Sequence, residues 1–241
     1  RDRDRGTEMA SKYAIPAVYT DYRTMIEQAA LDAVVVSTPD DLHYMMTMRA
    51  LDAGLHVLCE KPLALNAADA RAMLAKANAE SVKHMVLFTW RWMPYMKYAH
   101  ELVEEGFVGR CFYCDFRFQG DYDHTGAYLW RLDGRRANGI LGDLGSHEID
   151  LARWFVGDIS RVNSHLATFV PRTEANGNAF EQANDSALLT LEFANGAHGT
   201  IQASAAAHLA DRSMELTMSL YGDAGTLRVN VVFGGERSGA L

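Results

Sequence analysis

Cysteine, proline and long apolar runs are scarce in this sequence of 241 residues, and each scarcity excludes a class of protein. Three cysteines are too few for a disulfide scaffold and fit a reducing cytoplasm, and five prolines fit an ordinary globular chain. The longest apolar stretch, near residues 33–36, is far below the ~18–20 residues that a transmembrane helix needs. No apolar segment follows the charged N-terminus, so no signal peptide is indicated. We therefore expect a cytoplasmic protein.

Excess positive charge is also lacking. The 31 acidic and 23 basic residues give a net charge of −8, which argues against nucleic acid and anionic membranes as partners. Neither a serine nucleophile elbow nor a P-loop occurs. Glycines at 139, 142 and 145 follow a GxxGxxG spacing, which differs from the dinucleotide fingerprint.

Short β-branched segments alternate with helical patterns over the first 90 residues. Segments 33–38, 56–59 and 82–90 predict strands, the first two of them buried within a sheet. Helices are predicted at 22–30 after the N-cap Asp21, at 42–53 before Gly54, and at 67–79 after the N-cap Asn66. This alternation predicts an α/β fold with a parallel sheet, whose ligands bind outside the carboxyl ends of the strands.

The pattern changes beyond residue 90. A helix near 95–105 precedes an aromatic strand at 110–119, a polar loop and a second helix at 143–155. Strands dominate from residue 160 onward, and Asn195-Gly196 predicts a hairpin. We predict two domains, residues 1–90 with the parallel sheet and residues 91–241 with a mainly antiparallel open sheet that carries a helix.

The run at 142–147, Gly-Asp-Leu-Gly-Ser-His, is the most informative motif. Asp143 and His147 lie four residues apart, which places them on one face of a helix. The plain interpretation is a helix cap beside an interior histidine. The functional interpretation is an acid–base pair, with glycines at 139, 142 and 145 that let the backbone approach a ligand and with free N–H groups at the helix start.

Metal chemistry is the competing interpretation of this motif. Asp143, His147 and Asp150 form a candidate cluster, but Leu151 stands where a zinc-protease helix needs its second histidine. The pair Cys111 and Cys114 has no accompanying pair and predicts two unpaired thiols. We predict no metal site.

A second candidate segment follows the strand at 56–59. Lys61 lies between Glu60 and Pro62 at a strand end, where its ammonium group can donate to a substrate hydroxyl. The pair Trp130-Arg131 lies in the polar loop with no second motif beside it. Its arginine could bind a phosphate, but the spacing alone favours a solvated arginine at the surface.

Three segments together resemble one family. They are 38–43 (TPDDLH), 53–63 (AGLHVLCEKPL) and 142–147 (GDLGSH) followed by Asp150-Leu151 and Gly157. This combination resembles the Gfo/Idh/MocA family of NAD(P)-dependent oxidoreductases, over about residues 1 to 232. The resemblance implies a partial Rossmann domain, a C-terminal α/β domain, and hydride transfer between nicotinamide and a carbinol carbon of a sugar or cyclitol.

The resemblance also implies roles for the candidate residues. His147 would be the general base, Asp143 would hold the substrate hydroxyls and tune that histidine, and Lys61 would hydrogen-bond the reacting hydroxyl. Histidine suits the task because its ordinary pKa lies near neutrality. The cofactor would be lined by Asp2 at the adenosine ribose and by residues at the strand ends and in the polar loop: Thr38, Pro39, His43, Glu60, Lys61, Pro62, Trp130 and Arg131.

One departure from the family stands out, because its first strand and glycine-rich turn have no match here. We interpret the chain as truncated at the N-terminus and short of the last strands, and we expect it to bind NAD weakly by itself. Asp2 favours NAD, whereas Arg1, Arg3 and Arg5 would accept the 2′-phosphate of NADP. An NAD-using glycosidase or lyase and a non-catalytic truncated domain remain alternatives, and homo-oligomers through the C-terminal sheet are expected.

Overall fold

The computed structural model describes residues 2–122 and 124–234. Its contacts divide the chain into two compact units, Arg1–Leu87 and Phe88–Leu241. Unit 1 contains a parallel sheet and unit 2 a larger mixed sheet. None of the helices in the described ranges has the length and apolar character that a bilayer crossing requires.

Unit 1 alternates helices with parallel strands. Its elements are α1 (Arg3–Tyr13), α2 (Tyr22–Gln28), β1 (Ala33–Val36), α3 (His43–Asp52), β2 (His56–Glu60), α4 (Ala67–Ala79) and β3 (His84–Leu87), with the strands in the order β1-β2-β3. Asp21 accepts hydrogen bonds from two N–H groups of α2, and Asn66 caps α4 through the N–H of Asp69. Gly54, at φ 70°, takes the left-handed conformation beyond the end of α3. The predicted parallel α/β arrangement is confirmed.

The sheet of unit 1 is covered on one face. Val36, Val57 and Cys59 are buried against α3 and α4. On the opposite face Val35 is 61% exposed and Met85 is 43% exposed. The prediction that the 33–38 strand is buried on both faces was therefore wrong for the described residues, because the helices that pack on β1 cover only the face of Val36.

Unit 2 is built on six strands. Its elements are α5 (Pro94–Glu104), β4 (Cys111–Gly120), α6 (Ser146–Phe155), β5 (Ile159–Ala167), β6 (Ser186–Phe193), β7 (His198–Ser204), β8 (Arg212–Gly222) and β9 (Thr226–Gly234). The strands lie in the order β5-β6-β7-β4-β8-β9, and all neighbours are antiparallel except β4 and β7. Gly196, at φ 89°, closes the predicted β6–β7 hairpin. The mainly antiparallel sheet is confirmed, and the parallel pair at its centre was not predicted.

The core of unit 2 lies between this sheet and helices α5 and α6. It combines alternate strand residues, such as Phe116 and Met218, with Met96 of α5 and Leu151 of α6. Gly199 lies against Cys114, whose Sγ leaves no room for a side chain there. Both cysteines of β4 are free, as predicted, and burial raises the pKa of Cys114 to about 12.

The strand predicted at 82–90 is shorter in the structure. β3 ends at Leu87, and a 3₁₀ turn follows at Thr89–Trp92. Trp90 packs edge-on against Phe118 with ring centroids 5.5 Å apart, and it is 5% exposed. Trp90, beyond the end of β3, thus belongs to the core of unit 2.

Candidate active site

Asp143 is held from two sides within unit 2. The hydroxyl of Tyr122 donates to Oδ2 of Asp143 at 2.7 Å, and Nε of Arg131 lies 3.3 Å from the same oxygen. The Asp143 side chain is 12% exposed, while that of Arg131 is 47% exposed and stacks over Trp130 at 4.5 Å. The structure therefore joins Arg131 to Asp143, although sequence spacing favoured a solvated arginine.

Tyr122 is a residue of the candidate site that the sequence alone does not reveal. Burial, and then the charge of Asp143, raise the pKa of Tyr122 well above its ordinary value, so the hydroxyl stays a neutral donor. Its backbone N–H donates to the carbonyl of Ala205. No local pattern in the sequence marks this tyrosine, because its partner lies on a different element.

The helical turns that carry Asp143 begin earlier than predicted. A π-helical turn spans Leu141–Gly145 and continues directly into α6. The first N–H groups are already satisfied, since Ile140 N donates to Asn184 O and Leu141 N to Asn184 Oδ1. Asp143 therefore lies within the helix rather than at its cap, and the predicted free N–H groups at its start were wrong.

The glycines around Asp143 serve packing. A side chain at Gly139 would collide with the backbone of Asn184, and one at Gly145 would press on Leu141. At these two glycines the backbone lies close to other protein atoms. The prediction that it approaches a ligand there was therefore wrong. The predicted spacing of Asp143 and His147 along one helical segment is retained.

His147 is enclosed by aromatic rings. Phe88 and Trp90 meet it edge-on with centroids 6.1 and 6.4 Å away, and Phe118 lies at 6.4 Å. The imidazole is 7% exposed. This enclosure fixes the ring and restricts water around it, which suits a group that exchanges a proton with one bound molecule.

Asp150 has a structural partner. Arg91 donates from Nε and Nη2 to its two carboxylate oxygens, both at 2.7 Å, and the guanidinium lies over Trp154. This bidentate pair fastens the Thr89–Trp92 turn, which carries one ring of the enclosure, to α6. The candidate metal cluster of Asp143, His147 and Asp150 is accordingly not one of the metal-ligating groups found among the described residues.

In unit 1 the predicted cofactor residues other than Asp2 lie along the edge of the sheet formed by the carboxyl ends of β1 and β2. Val36 pairs with Cys59 in the β1–β2 register, so Thr38 and Lys61 both follow two residues beyond that pair. Thr38, Pro39, Glu60 and Lys61 are all partly exposed. The Lys61–Pro62 bond is cis, and Lys61 N donates to Oε2 of Glu60 at 3.1 Å.

His43 lies beneath this edge. It is fully buried, and its ring nitrogens are each 2.8 Å from a carbonyl oxygen, Nδ1 from Pro62 and Nε2 from Thr38. Both contacts require N–H donation, which favours the imidazolium form. Burial lowers its pKa, but Cys59 and the two carbonyls outweigh burial and raise the pKa to about 9. Its position indicates that His43 supports the two strand-end loops from below.

Asp2 is the N-cap of α1 and is exposed. One of its carboxylate oxygens accepts a hydrogen bond from Arg5 N at 3.0 Å. Its contact with an adenosine ribose stays a prediction.

Comparisons with known proteins identify the family of this chain. Residues 1–88 match a family model described as "Oxidoreductase family, NAD-binding Rossmann fold", and residues 96–228 match the "GFO/IDH/MocA C-terminal domain". The chain belongs to the GFO/IDH/MocA family. Both matches fall on the segments in which the GFO/IDH/MocA resemblance was predicted.

Similar members of the GFO/IDH/MocA family include two sugar dehydrogenases. Levoglucosan dehydrogenase of Pseudarthrobacter phenanthrenivorans is 30% identical over 256 residues, which cover 97% of this chain and 63% of the relative. D-apiose dehydrogenase of Paraburkholderia graminis is 30% identical over 223 residues, covering 85% of this chain and 59% of the relative. The chain thus spans about six tenths of the length of these relatives.

A solved structure extends the similarity to the fold. A levoglucosan dehydrogenase in complex with NADH and levoglucosan superimposes with a TM-score of 0.88 at 31% identity, covering 94% of this chain and 62% of that one.

Proposed function

We propose that the protein carrying this chain is an NAD(P)-dependent oxidoreductase that transfers hydride between the nicotinamide and a carbinol carbon of a sugar or cyclitol. One observation carries the proposal: Asp143 lies in the same helical segment as the enclosed His147. Tyr122 and Arg131, which lie outside that segment, orient the Asp143 carboxylate. Similarity to sugar dehydrogenases, one of them solved with NADH and levoglucosan, supports it.

The residues of unit 1 fit a dinucleotide. Dinucleotides bind outside the carboxyl ends of parallel strands, where Thr38, Pro39, Glu60 and Lys61 lie partly exposed. These residues would hold the nicotinamide half of NAD or NADP, and Asp2 is proposed to contact the ribose of the adenosine half. When bound, the nicotinamide supplies the hydride acceptor for oxidation and the donor for reduction.

The chain's own residues handle the proton and the hydroxyl groups. During oxidation the carbinol proton passes to the imidazole of His147, while the hydride leaves the carbon as its C–O bond becomes a carbonyl. Lys61 donates a hydrogen bond to the reacting oxygen, and its positive charge favours the developing alkoxide. Asp143 accepts hydrogen bonds from neighbouring hydroxyls, and Tyr122 and Arg131 fix its carboxylate.

A substrate screen tests this proposal. The protein that carries this chain is assayed with NAD and NADP against aldoses, anhydrosugars and cyclitols. We expect His147→Asn and Lys61→Ala each to lower kcat by about 10²–10⁴-fold, the range typical of general acid–base groups. His84→Asn is the matched control, because His84 is exposed at the first residue of β3, at the other end of the strand from the proposed cofactor residues.

The double variant Lys61→Ala/His147→Asn tests whether both residues serve one reaction. Groups that act together lose activity non-additively, so we expect the double variant to be close to the worse single variant. Full activity of His147→Asn, or no turnover with any polyol, would overturn the proposal. Glycoside cleavage without net NADH would instead indicate the glycosidase or lyase alternative.

Assembly through the sheet of unit 2 is part of the proposal. The face opposite α5 and α6 carries two exposed apolar side chains, Leu188 (47% exposed) and Val232 (46%). Such a face fits a homo-oligomer interface. Leu188→Lys with Val232→Lys should lower the mass measured by analytical ultracentrifugation, and an unchanged mass would contradict it.

A further inference from the structure

Unit 2 holds a second cluster of chemically active side chains, Asp121, His124 and His208. The pairing of β4 with β7 brings them together from distant parts of the sequence. Gln119 at the end of β4 lies beside Ser204 at the end of β7, and just beyond them Asp121 forms a bridge with Ala206. The loop after β4 and the segment after β7 therefore run side by side.

The three side chains converge. One ligand atom from each lies within 4.8 Å of the others, and Nε2 of His124 is 3.3 Å from Oδ1 of Asp121. The rings of His124 and His208 stack with centroids 4.0 Å apart and planes 19° from parallel. The Asp121 side chain is 5% exposed, and its Oδ2 accepts the N–H of Leu209 at 3.2 Å. The carboxylate is thus fixed, with Oδ1 facing the imidazoles.

This donor set matches a particular class of ligand. Two imidazole nitrogens and one carboxylate oxygen are typical ligands of Zn²⁺ and of related divalent transition metals, whereas Mg²⁺ and Ca²⁺ prefer oxygen. We propose that Asp121, His124 and His208 bind one divalent transition-metal ion, best matched by Zn²⁺, with water completing the coordination.

Binding requires one local adjustment. Stacked rings direct their lone pairs side by side, so one ring must turn to aim its nitrogen at a shared ion. His208 is exposed and has room to turn, while Asp121 and His124 are more buried. Asp121 and His124 therefore form the fixed part of the site, and His208 completes it.

The ion would join two segments next to the candidate active site. Asp121 precedes Tyr122, whose hydroxyl holds Asp143, and the Tyr122 N–H already donates to Ala205 beside Ala206. A metal bridge between the loop after β4 and the segment after β7 would stabilise the backbone around Tyr122. Its role is that of a positioning site, since the ion is held by Asp121 rather than by Asp143.

Metal titration of the tag-free chain tests the proposal without any turnover assay. Zn²⁺ is titrated by calorimetry, and Co²⁺ is added separately as an optical probe. We expect one equivalent of each ion to bind, visible Co²⁺ d–d absorption without thiolate charge-transfer bands, and a Tm increase with Zn²⁺. His208→Ala and His124→Ala should weaken binding by at least about 10-fold.

His165→Ala is the matched control and should bind like the unmodified chain, because His165 is exposed on β5 outside the cluster. The His208 substitution is at an exposed site, so a folded variant is expected for comparison. The proposal would be overturned if the His208→Ala and His124→Ala variants bound Zn²⁺ as tightly as the unmodified chain. Thiolate bands in the Co²⁺ spectrum, or no saturable binding, would also overturn it.

Discussion

Oδ2 of Asp143 accepts a 2.7 Å hydrogen bond from the hydroxyl of Tyr122 and lies 3.3 Å from Nε of Arg131. One carboxylate oxygen of the residue proposed to hold substrate hydroxyls thus carries these two orienting contacts. The tyrosine is buried and neutral, while the arginine is half exposed and stacked on Trp130. Since exposed ion pairs are weak, the hydroxyl should be the stronger of the two constraints.

The Tyr122 hydroxyl is tested by Tyr122→Phe, which removes the hydrogen bond and little else. A hydrogen bond to a charged group is worth about 1.5–3 kcal/mol, so we expect kcat/KM for the preferred polyol to fall by roughly 10- to 100-fold. Steady-state kinetics measure this loss. Tyr113→Phe is the control, because its hydroxyl contacts Thr200 Oγ1 at 3.3 Å instead. Unchanged kinetics in Tyr122→Phe would contradict the assigned role.

Arg131 is tested by Arg131→Lys, which keeps the charge and removes the planar stack on Trp130. Because the ion pair is half exposed and worth at most about 1 kcal/mol, kcat/KM should fall by less than about 10-fold, a smaller loss than in Tyr122→Phe. Higher salt should narrow the difference from the unmodified protein. Arg153→Lys, which alters the surface pair with Asp158, should leave the kinetics unchanged. A larger loss than in Tyr122→Phe would reverse the ranking of the two contacts.

Structure follows most directly from the sequence where the determinants are local. Asn66 and the helix Ala67–Ala79 were placed correctly because a cap and its helix are adjacent in the chain. The hairpin at Asn195-Gly196 followed from two residues that favour the turn conformation. The Asp143–His147 spacing was likewise predicted, since it depends only on helical periodicity.

Contacts between distant segments could not be predicted in this way. Tyr122 lies 21 positions before Asp143, and only the parallel pairing of β4 with β7 brings Asp121 and His124 to His208. The exposure of Val35 depends on which faces of the sheet the helices cover, and its β-branched strand does not reveal that. The early helix start depends on Asn184, which lies more than 40 positions after the N–H groups that it satisfies.

The Glu148 carboxyl is completely buried beside the catalytic candidate His147, and it should make the stability of the chain depend on pH. Burial, and then the charge of Asp115, raise its pKa well above its ordinary value. A pKa raised by folding gives a contribution to stability that is full below the unfolded-state pKa, about 4.3, and lost as the pH rises through the folded-state pKa.

Glu148→Gln keeps the shape of this side chain and removes its titration. At acidic pH the variant should have the same free energy of unfolding as the unmodified chain. Towards pH 8 the variant should become increasingly more stable than the unmodified chain, and its Tm should be higher by roughly 2–4 °C for each 1 kcal/mol of difference. Calorimetric Tm values at pH 4.5 and 8 measure the difference. Glu192→Gln is the control, because Glu192 forms an exposed ion pair with Arg161. A difference that is independent of pH would contradict the raised pKa.

Whereas burial favours the neutral form of Glu148, hydrogen bonds favour the charged form of His43. Its two ring N–H groups donate to the carbonyl oxygens of Pro62 and Thr38. Its pKa rises from 6.5 to about 9, so its contribution to stability is full below pH 6.5 and lost as the pH rises through about 9. This shift corresponds to as much as about 3 kcal/mol, at 1.36 kcal/mol for each pKa unit.

His43→Phe should therefore destabilise unit 1 most at pH 6, and the deficit relative to the unmodified chain should shrink by pH 10. Hydrogen exchange of the β1 and β2 amides, corrected for intrinsic rates, gives the local free energy of unfolding at each pH. His84→Phe, at an exposed histidine of the same unit, should show no such trend. Because His43 contacts the carbonyls of both strand-end loops, the loss in His43→Phe should extend to weaker NADH binding by the whole protein, measured by fluorescence titration at pH 6. A deficit that grows with pH, or NADH affinity equal to that of the unmodified protein, would contradict the role of a buried imidazolium beneath the cofactor edge.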